Sequence, residues 1–182
     1  KSSQGNDAVQ TTAADQPQWI QNYQHGHHAM LFSSNDNLAG TISSMTGGDT
    51  NYTLFLVYRG ADAPQTNPNH ETIFSIGNQN SDHQKIHLTY GSYHRTESAL
   101  AHFENDRYFG EVTPQVTHVT SGRYSGTGGS EIKAWHNDIQ IETGTNGSSV
   151  NLNLATNPNY LVNGENFGGH IMEVIVYDKA LS

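Results

Sequence analysis

The chain has 182 residues, of which 14% are charged, with a net charge of −9 and no cysteine. This length predicts one domain that buries enough surface to fold without disulfides. The shortage of cations argues against binding to nucleic acids and anionic membrane surfaces, whereas the acidic balance favours cations such as Ca²⁺. The lack of cysteine excludes disulfides, iron–sulfur clusters, thiolate zinc sites and cysteine nucleophiles.

No apolar run approaches the roughly 18 residues of a membrane-spanning helix, so no membrane insertion is expected. The first residue is Lys1 and not Met. We therefore expect residues 1–182 to be a single domain excised from a longer chain.

Short apolar runs of strand length recur along the chain between Gly- and Asn-rich turns, while helical periodicity is weak. Residues 1–18 are polar and predict an irregular lead-in. Ser98–Asn105 has room for a helical turn or two, although a strand is favoured, and Asn137-Asp138 predicts a hairpin tip. About ten strands predict an all-β sandwich or jelly roll. The clearest predicted strands are Ala29–Phe32, Tyr52–Tyr58, Thr72–Ile76, Lys85–Tyr90, Val116–Thr120, Glu131–Trp135, Ile139–Glu142, Val150–Leu154 and Ile171–Tyr177.

The C-terminal stretch reads FGGHIMEVIVYDKALS, from Phe167 to Ser182. Three further stretches fall in matching order: NDAVQTTAADQPQW at Asn6–Trp19, AMLFSSNDNL at Ala29–Leu38, and YTLFLVYR at Tyr52–Arg59 followed by ETIFSIG at Glu71–Gly77. Together they resemble the laminin G-like and concanavalin A-like lectin/glucanase superfamily over almost the whole chain. The resemblance implies a two-sheet antiparallel jelly roll of one domain. It implies no single activity, because lectins, receptor-binding modules, glucanases and lyases share this fold.

The turn after Ala29–Phe32 is a run of oxygen-bearing side chains in which Asp36 is the only carboxylate, flanked by Asn35 and Asn37. Ca²⁺ takes six to eight oxygen ligands, which an Asx-rich turn can present. The resemblance to pentraxin-like members implies a calcium site at the comparable place. We therefore predict Ca²⁺ as a cofactor held by Asn35, Asp36 and Asn37. The alternative is an Asx turn that only satisfies its own backbone.

Two other polar segments are candidates to complete that site. Asn157–Asn166, before the last strand, is predicted to be a loop, and Asn78–Asp82 follows a predicted strand. Because a divalent ion with one carboxylate is held weakly, Asp82 and Glu165 are the candidates for a second acidic ligand. The predicted ligand-binding residues are Asn78, Tyr160, Asn163 and Asn166. The alternative for both segments is a polar turn without a ligand.

The 11 histidines include one dense cluster, His25 with His27 and His28, for which a surface or structural role is favoured over a transition-metal site. Protonated histidines would reduce the negative charge at pH 5–6, so binding is expected to depend on pH. Aromatic residues outside the core pattern suit sugar or peptide recognition, although most are expected to pack internally. They are Trp19, Tyr23, Tyr93, Tyr108, Phe109, Tyr124 and Tyr160.

The sequence carries no convincing catalytic motif. Glycosidases need two carboxyl groups about 5–9.5 Å apart, and Glu104-Asn105-Asp106, the nearest cluster, lies at a predicted turn and lacks a third carboxylate. Tyr93, His94 and Arg95 are residues that a lyase uses, but neighbouring residues on a strand face opposite sides. We therefore expect no enzymatic activity.

These expectations combine into a non-enzymatic, Ca²⁺-assisted extracellular ligand-binding module. The acidic, cysteine-free sandwich resembles the ligand-binding domains of large calcium-dependent bacterial adhesins of the RTX type, which implies a cell-surface location and a role in cell adhesion. The implied partner is a glycan or peptide on another cell, and the isolated domain is expected to be monomeric. Two alternatives stay open. One is a polysaccharide hydrolase or lyase, or its carbohydrate-binding accessory module, and the other is a structural viral or phage fibre domain.

Overall fold

The computed structural model describes residues 7–45, 51–63, 71–77, 85–91, 97–101, 106–125, 131–141, 152, 154 and 159–182. Within these ranges the chain forms thirteen strands and two short 3₁₀ helices, Ala13–Asp15 and Ser43–Met45. The strands are β1 (Gln18–Gln24), β2 (His27–Phe32), β3 (Leu38–Thr41), β4 (Tyr52–Gly60), β5 (Glu71–Gly77), β6 (Lys85–Tyr90), β7 (Glu97–Ala101), β8 (Asp106–Glu111), β9 (His118–Ser125), β10 (Glu131–His136), β11 (Ile139–Ile141), β12 (Asn159–Glu165) and β13 (Gly169–Tyr177). No helix in this described part is long and apolar enough to cross a membrane.

The strands form two sheets whose neighbouring strands are all antiparallel. The first sheet has seven strands in the order β1-β2-β13-β4-β9-β10-β11, and the second has six in the order β3-β12-β5-β6-β7-β8. The two-sheet antiparallel sandwich predicted from the sequence is confirmed.

Alternation along β4 explains how the two sheets pack. Leu54, Leu56 and Tyr58 are at most 1% exposed and face the other sheet, while Phe55 and Val57 face the opposite side and are only partly buried. Gly122 of β9 lies on the inner face, where an added Cβ would overlap the Leu100 side chain from the second sheet. A residue without a side chain therefore allows close contact between the sheets at this position.

The two sheets differ in how much of their outer faces is accessible. Every residue of β6 is buried, so this strand of the six-stranded sheet is covered on both faces. The seven-stranded sheet instead leaves Val119, Glu173 and Tyr177 exposed on its outer face. The outer face of the seven-stranded sheet is therefore accessible at these positions.

Most predicted strands match observed ones, with shifted ends. The predicted strand at Val116–Thr120 begins at His118 and continues to Ser125. Part of the predicted lead-in is ordered, because Val9 forms an isolated bridge with Ala39 and β1 starts at Gln18. Of the predicted strand Val150–Leu154, only Leu152 and Leu154 lie within the described residues, and both belong to the buried core without forming a strand.

One organisational prediction is wrong. The segment Asn157–Asn166 was expected to be a loop, but Asn159–Glu165 forms β12, an interior strand paired with β3 and β5. The pairing with β5 shifts register between Val162 and Glu165. This irregularity, with Asn163 in the left-handed region at φ 57°, accommodates turn-type residues inside a strand.

Candidate functional site

The predicted calcium turn is closed by hydrogen bonds of its own. Asp36 is 9% exposed, and its Oδ2 accepts the Ser33 N–H at 2.7 Å while its own N–H is donated to the Ser33 carbonyl at 3.0 Å. The Asn37 Oδ1 accepts a hydrogen bond from Gln10 Nε2 at 2.8 Å. The exposed Asn35 contributes its carbonyl to Asn37 Nδ2 at 3.5 Å. The backbone bond from Asp36 to Ser33 closes a β-turn, and the Asp36 carboxylate bonds back to the first residue of that turn.

Asn163, a predicted ligand-binding residue, joins this turn to the segment before β13. It is 3% exposed. Its Nδ2 donates to the carbonyls of Ser33 (3.0 Å), Asp36 (2.7 Å) and Phe167 (3.0 Å), and its Oδ1 accepts the Phe167 N–H at 3.0 Å. We call Ser33, Asp36, Asn163 and Phe167 the Asn163 junction. The polar atoms of Asn163 join the turn between β2 and β3 to the segment between β12 and β13.

The other predicted site residues do not converge there. Tyr160 is 7% exposed, and its ring lies against Gly40 and 6.1 Å from the Phe74 ring. Burial, together with Asp7, raises the pKa of its hydroxyl. Asn166 is exposed in a turn with φ 54°. Asn78 and Asp82 lie outside the described residues, as does the side chain of Glu165.

The junction does not resemble a closed metal cage in the part of the chain that the structure describes. No group of three or more histidine and carboxylate side chains is close enough there to hold a metal ion. Asp36 Oδ2, Asn37 Oδ1 and the carbonyls of Ser33 and Asp36 already accept N–H groups, with which a cation would have to compete. Calcium binding stays a prediction. The Glu104–Asp106 and Tyr93–Arg95 clusters also fall on side chains outside the described set.

A different set of residues lines a large open cavity at the β1–β2 hairpin. Strand β2 pairs with β13 at only three positions, Met30–Phe32 with Gly169–Ile171. Directly after them β13 has a bulge at Met172. The cavity of about 680 Å³ opens where the strands separate, and we call it the hairpin pocket. It is lined by Trp19, Gln24, His25, His27, His28, Ala29, Met30, Phe32, Leu38, Val57, Thr117, Val162, Ile171, Met172, Glu173 and Val174.

The hairpin is shaped by its turn and held by two contacts. His25 and Gly26 have φ of 48° and 82°, the left-handed pair that two-residue hairpins favour. Tyr23 stacks on the His170 ring with centroids 4.0 Å apart. Gln24 Oε1 accepts a hydrogen bond from the Thr117 hydroxyl at 2.9 Å. The hairpin tip is thus fixed against the rest of the seven-stranded sheet.

Trp19 is the main aromatic surface of the pocket. It is 59% exposed, although its cross-strand partner is Met30, which packs against the core. Its ring centroid lies 4.9 Å from that of His28. The backbone N–H of Asn22 is donated to His28 Nδ1 at 3.3 Å, so the neutral imidazole carries its proton on Nε2. The pocket therefore combines a flat apolar ring with an oriented N–H donor.

A hydrogen-bonded pair of histidines, the buried His118 and the half-buried His136, adjoins Thr117 of the pocket wall. His118 Nε2 donates to the Thr113 carbonyl at 3.0 Å, which leaves its Nδ1 to accept from His136 Nε2 at 3.1 Å. His136 Nδ1 is 3.2 Å from the Thr120 hydroxyl. Burial, and secondarily His118, lower the pKa of His136 to about 4. His136 is therefore neutral at pH 7 and supports the wall as a hydrogen-bonded link.

No family model and no curated protein matches the chain. Solved structures do match it. Domain 4 of AbnA, a GH43 extracellular arabinanase from Geobacillus stearothermophilus in complex with arabinotriose, aligns with a TM-score of 0.63 at 14% identity, covering 91% of this chain and 77% of that chain. The CBM40 of the Ruminococcus gnavus IT-sialidase, bound to α2,3-sialyllactose, gives 0.56 at 16% identity, covering 77% and 81%.

A toxin domain matches over a longer part of this chain. The ligand-binding domain of botulinum neurotoxin serotype D, in complex with N-acetylneuraminic acid, aligns with a TM-score of 0.64 at 15% identity, covering 99% of this chain. This chain spans 45% of that domain. At these identities the matches establish a shared β-sandwich fold.

Sequence reasoning missed the hairpin pocket, although its residues carried a usable signal. Within Gln18–His28 the chain places one of its two tryptophans, Trp19, beside Tyr23 and three histidines. A short run so rich in large rings with polar edges is typical of ligand contacts. The sequence pattern alone indicates a surface cluster, because it predicts no strand at Gln18–Gln24.

Proposed function

We propose that this chain is a non-catalytic carbohydrate-binding module whose ligand enters the hairpin pocket. The observation that carries the proposal is the exposed Trp19 ring, positioned by His28 at the mouth of a cavity of about 680 Å³. Small-molecule sites are typically 300–1,000 Å³, mostly apolar and provided with a few oriented polar groups. A sugar ring has an apolar face that suits indole and hydroxyl groups that need donors and acceptors.

The polar lining favours a neutral sugar. Glu173 and Gln24 provide acceptor oxygens, and His28 provides an N–H donor. Glu173 is an exposed carboxylate, and the whole chain has a net charge of −9. An anionic ligand would therefore be repelled, whereas neutral hydroxyl groups can donate hydrogen bonds to the carboxylate.

The structural neighbours support a carbohydrate ligand over the peptide that the sequence leaves equally open. Two of the aligned domains are described as complexes with arabinotriose and α2,3-sialyllactose. Arabinotriose is uncharged whereas sialyllactose is anionic, so the choice of a neutral sugar is based on the lining of the hairpin pocket. Such a module would bind the glycan target of a multidomain polysaccharide-degrading enzyme or of a surface adhesin.

The proposal retains an extracellular adhesive role with calcium assistance. The acidic composition supports a cation at this turn. The turn lies in the connection between β2 and β3, and β2 also supplies His27 to Met30 to the pocket wall. Calcium bound at this turn would therefore affect ligand binding by fixing the position of β2 in the pocket wall.

Calorimetric titration with arabinobiose, cellobiose and xylobiose tests the proposal, with 3′-sialyllactose as the anionic comparison and an EDTA arm for calcium. We expect a neutral disaccharide to bind, and Trp19→Ala to weaken that binding about 30-fold because a central aromatic anchor is lost. Trp19→Phe should retain most of the affinity. Val9→Ala removes an exposed apolar side chain outside the pocket and should change nothing. No binding of any neutral sugar, or equal binding by Trp19→Ala, would contradict the proposal.

A further inference from the structure

A second groove crosses the outer face of the seven-stranded sheet. Its volume is about 340 Å³, and Phe55, Ser121 and Trp135 are among its lining residues. Phe55 and Trp135 both pair directly with Ser121 of β9, so the three side chains form one row on one face. The small serine between two rings makes the floor of a depression. Since one strand separates them, the two rings stand roughly 9.5 Å apart.

The ends of this groove are fixed by hydrogen bonds. The Thr53 hydroxyl donates to the Lys179 carbonyl at 2.9 Å and accepts the Leu181 N–H at 2.9 Å. Arg123 Nη1 donates to the Leu181 carbonyl at 2.9 Å. The segment Lys179–Leu181 is thereby held as one wall, and the exposed Asp138 carboxylate stands among the lining residues. We call this depression the outer groove.

The outer groove adjoins the part of the hairpin pocket that Val57 and Glu173 line, on the outer face of the seven-stranded sheet. Val57 lines the pocket and Val119 lines the groove, and these two residues are direct cross-strand partners. Val119 is 44% exposed, so the surface between the two sites is accessible. Glu173 pairs with Val57 on the pocket side. From β13 to β10 the path crosses three strand spacings, about 14 Å, which is longer than one sugar ring.

We infer that the ligand is an extended neutral oligosaccharide that occupies the hairpin pocket with one end and runs across Val57 and Val119 into the outer groove between Phe55 and Trp135. This inference rests on the proposed function and specifies its ligand as a polymer segment, not a terminal sugar. A sheet face with two separated rings provides stacking for alternate units of a chain, while the Ser121 and Asp138 oxygens accept hydrogen bonds from hydroxyl groups. Additional contact area from the second site should increase affinity with chain length.

Calorimetry with arabinobiose and arabinohexaose, and with the matching cello- and xylo-oligosaccharide pairs, tests this extension. For wild type we expect the hexasaccharide of the recognised series to bind about tenfold more tightly than its disaccharide. Trp135→Ala should remove that tenfold gain and leave disaccharide binding unchanged. Ser121→Leu, which fills the floor without deleting a packing residue, should do the same. Trp135→Phe should preserve part of the gain.

The outcomes separate this inference from the function on which it rests. Equal affinity for two and six units, combined with loss of both in Trp19→Ala, would overturn the extended site and leave the pocket function intact. A chain-length gain that persists in both Trp135→Ala and Ser121→Leu would likewise place the extra units elsewhere. Failure of all disaccharides and hexasaccharides to bind wild type would overturn both proposals.

Discussion

The Asn163 junction and the hairpin pocket both gather polar side chains next to β2, yet they use them differently. In the junction, the Asn163 carboxamide makes four hydrogen bonds to the backbone and is 3% exposed. In the pocket, Trp19 and Glu173 are exposed beside an open cavity. Polar side chains beside one strand therefore serve a structural joint in one region and line an open cavity in the other. What distinguishes them is whether the polar atoms are directed at their own backbone or at open space.

Replacing Asn163 with alanine is the most direct test of the difference between the two regions. Asn163→Ala removes the side-chain partner of the Phe167 N–H and of the buried Asp36 and Phe167 carbonyls, so we expect the free energy of unfolding to fall by about 3 kcal/mol. The melting temperature should fall by roughly 6–12 °C. Asn35→Ala, in the same turn but exposed, should change stability by less than about 0.5 kcal/mol.

Disaccharide affinity is the second readout for these variants. A folded Asn163→Ala protein should bind as wild type does, because the residue is absent from the pocket lining. A tenfold loss of affinity with an unchanged melting temperature would instead identify Asn163 as a ligand contact, as the sequence predicted.

The next largest effect concerns the histidine pair behind the pocket wall. The pKa of His136 is lowered to about 4 in the folded state by burial and by His118. The unfolded chain takes up that proton near the ordinary pKa of about 6.5. Stability from this group is thus present above pH 6.5 and is lost as the pH falls towards 4. Because His136 is only half-buried, we expect a loss of about 1–2 kcal/mol.

Urea unfolding at pH 7.5 and pH 4.5 measures this loss, and His136→Gln should reduce it. The dependence should not vanish, because burial and Arg59 also lower the pKa of His170. His27→Gln, an exposed replacement, should leave the dependence unchanged. A His136→Gln protein with the full pH dependence would refute the role assigned to the pair.

A smaller effect is expected from the contact that holds the hairpin tip. Gln24→Ala removes the acceptor of the Thr117 hydroxyl and lets the pocket wall move away from β9. We expect disaccharide affinity to fall about fivefold, equivalent to one hydrogen bond of about 1 kcal/mol. Gln18→Ala, on the same strand outside the lining, serves as the control in the calorimetric titration. Unchanged affinity in Gln24→Ala would mean that neither the tether nor the Gln24 acceptor oxygen contributes to binding.

The smallest expected effect is at the predicted calcium turn. Asp36→Asn keeps an oxygen that can accept the Ser33 N–H, so in EDTA its melting temperature should lie within about 2 °C of wild type. If calcium assists the fold, millimolar Ca²⁺ should raise the melting temperature of wild type by several degrees and that of the variant by much less. Identical curves for both proteins with and without Ca²⁺ would remove calcium from the proposal.

Sequence patterns predicted the sandwich because its central strands are locally unambiguous. Tyr52–Tyr58 and Ile171–Tyr177 are apolar runs of strand length, and Asn137-Asp138 has the left-handed φ values of 48° and 66° that a two-residue hairpin requires. Strand β12 was missed because Asn163 and Gly164 are ordinary turn residues. Only the buried register shift next to β5 explains their place in a strand.

The pocket could not be predicted from the sequence because its shape depends on distant contacts. Gln24 and Thr117 are 93 residues apart, and their hydrogen bond positions the hairpin. The gap itself exists because β2 stops pairing with β13 at Met30, next to the Met172 bulge. Local propensity contains no information on where two strands will part.

Tryptophan fluorescence tests the central claim that the ligand contacts the hairpin pocket. The chain has two tryptophans, Trp19 and Trp135, so Trp135→Phe leaves Trp19 as the only indole. Titrating this variant with arabinobiose, cellobiose or xylobiose should give a saturable change in fluorescence whose midpoint equals the calorimetric dissociation constant. A disaccharide that binds by calorimetry while the Trp19 emission stays constant would contradict the account.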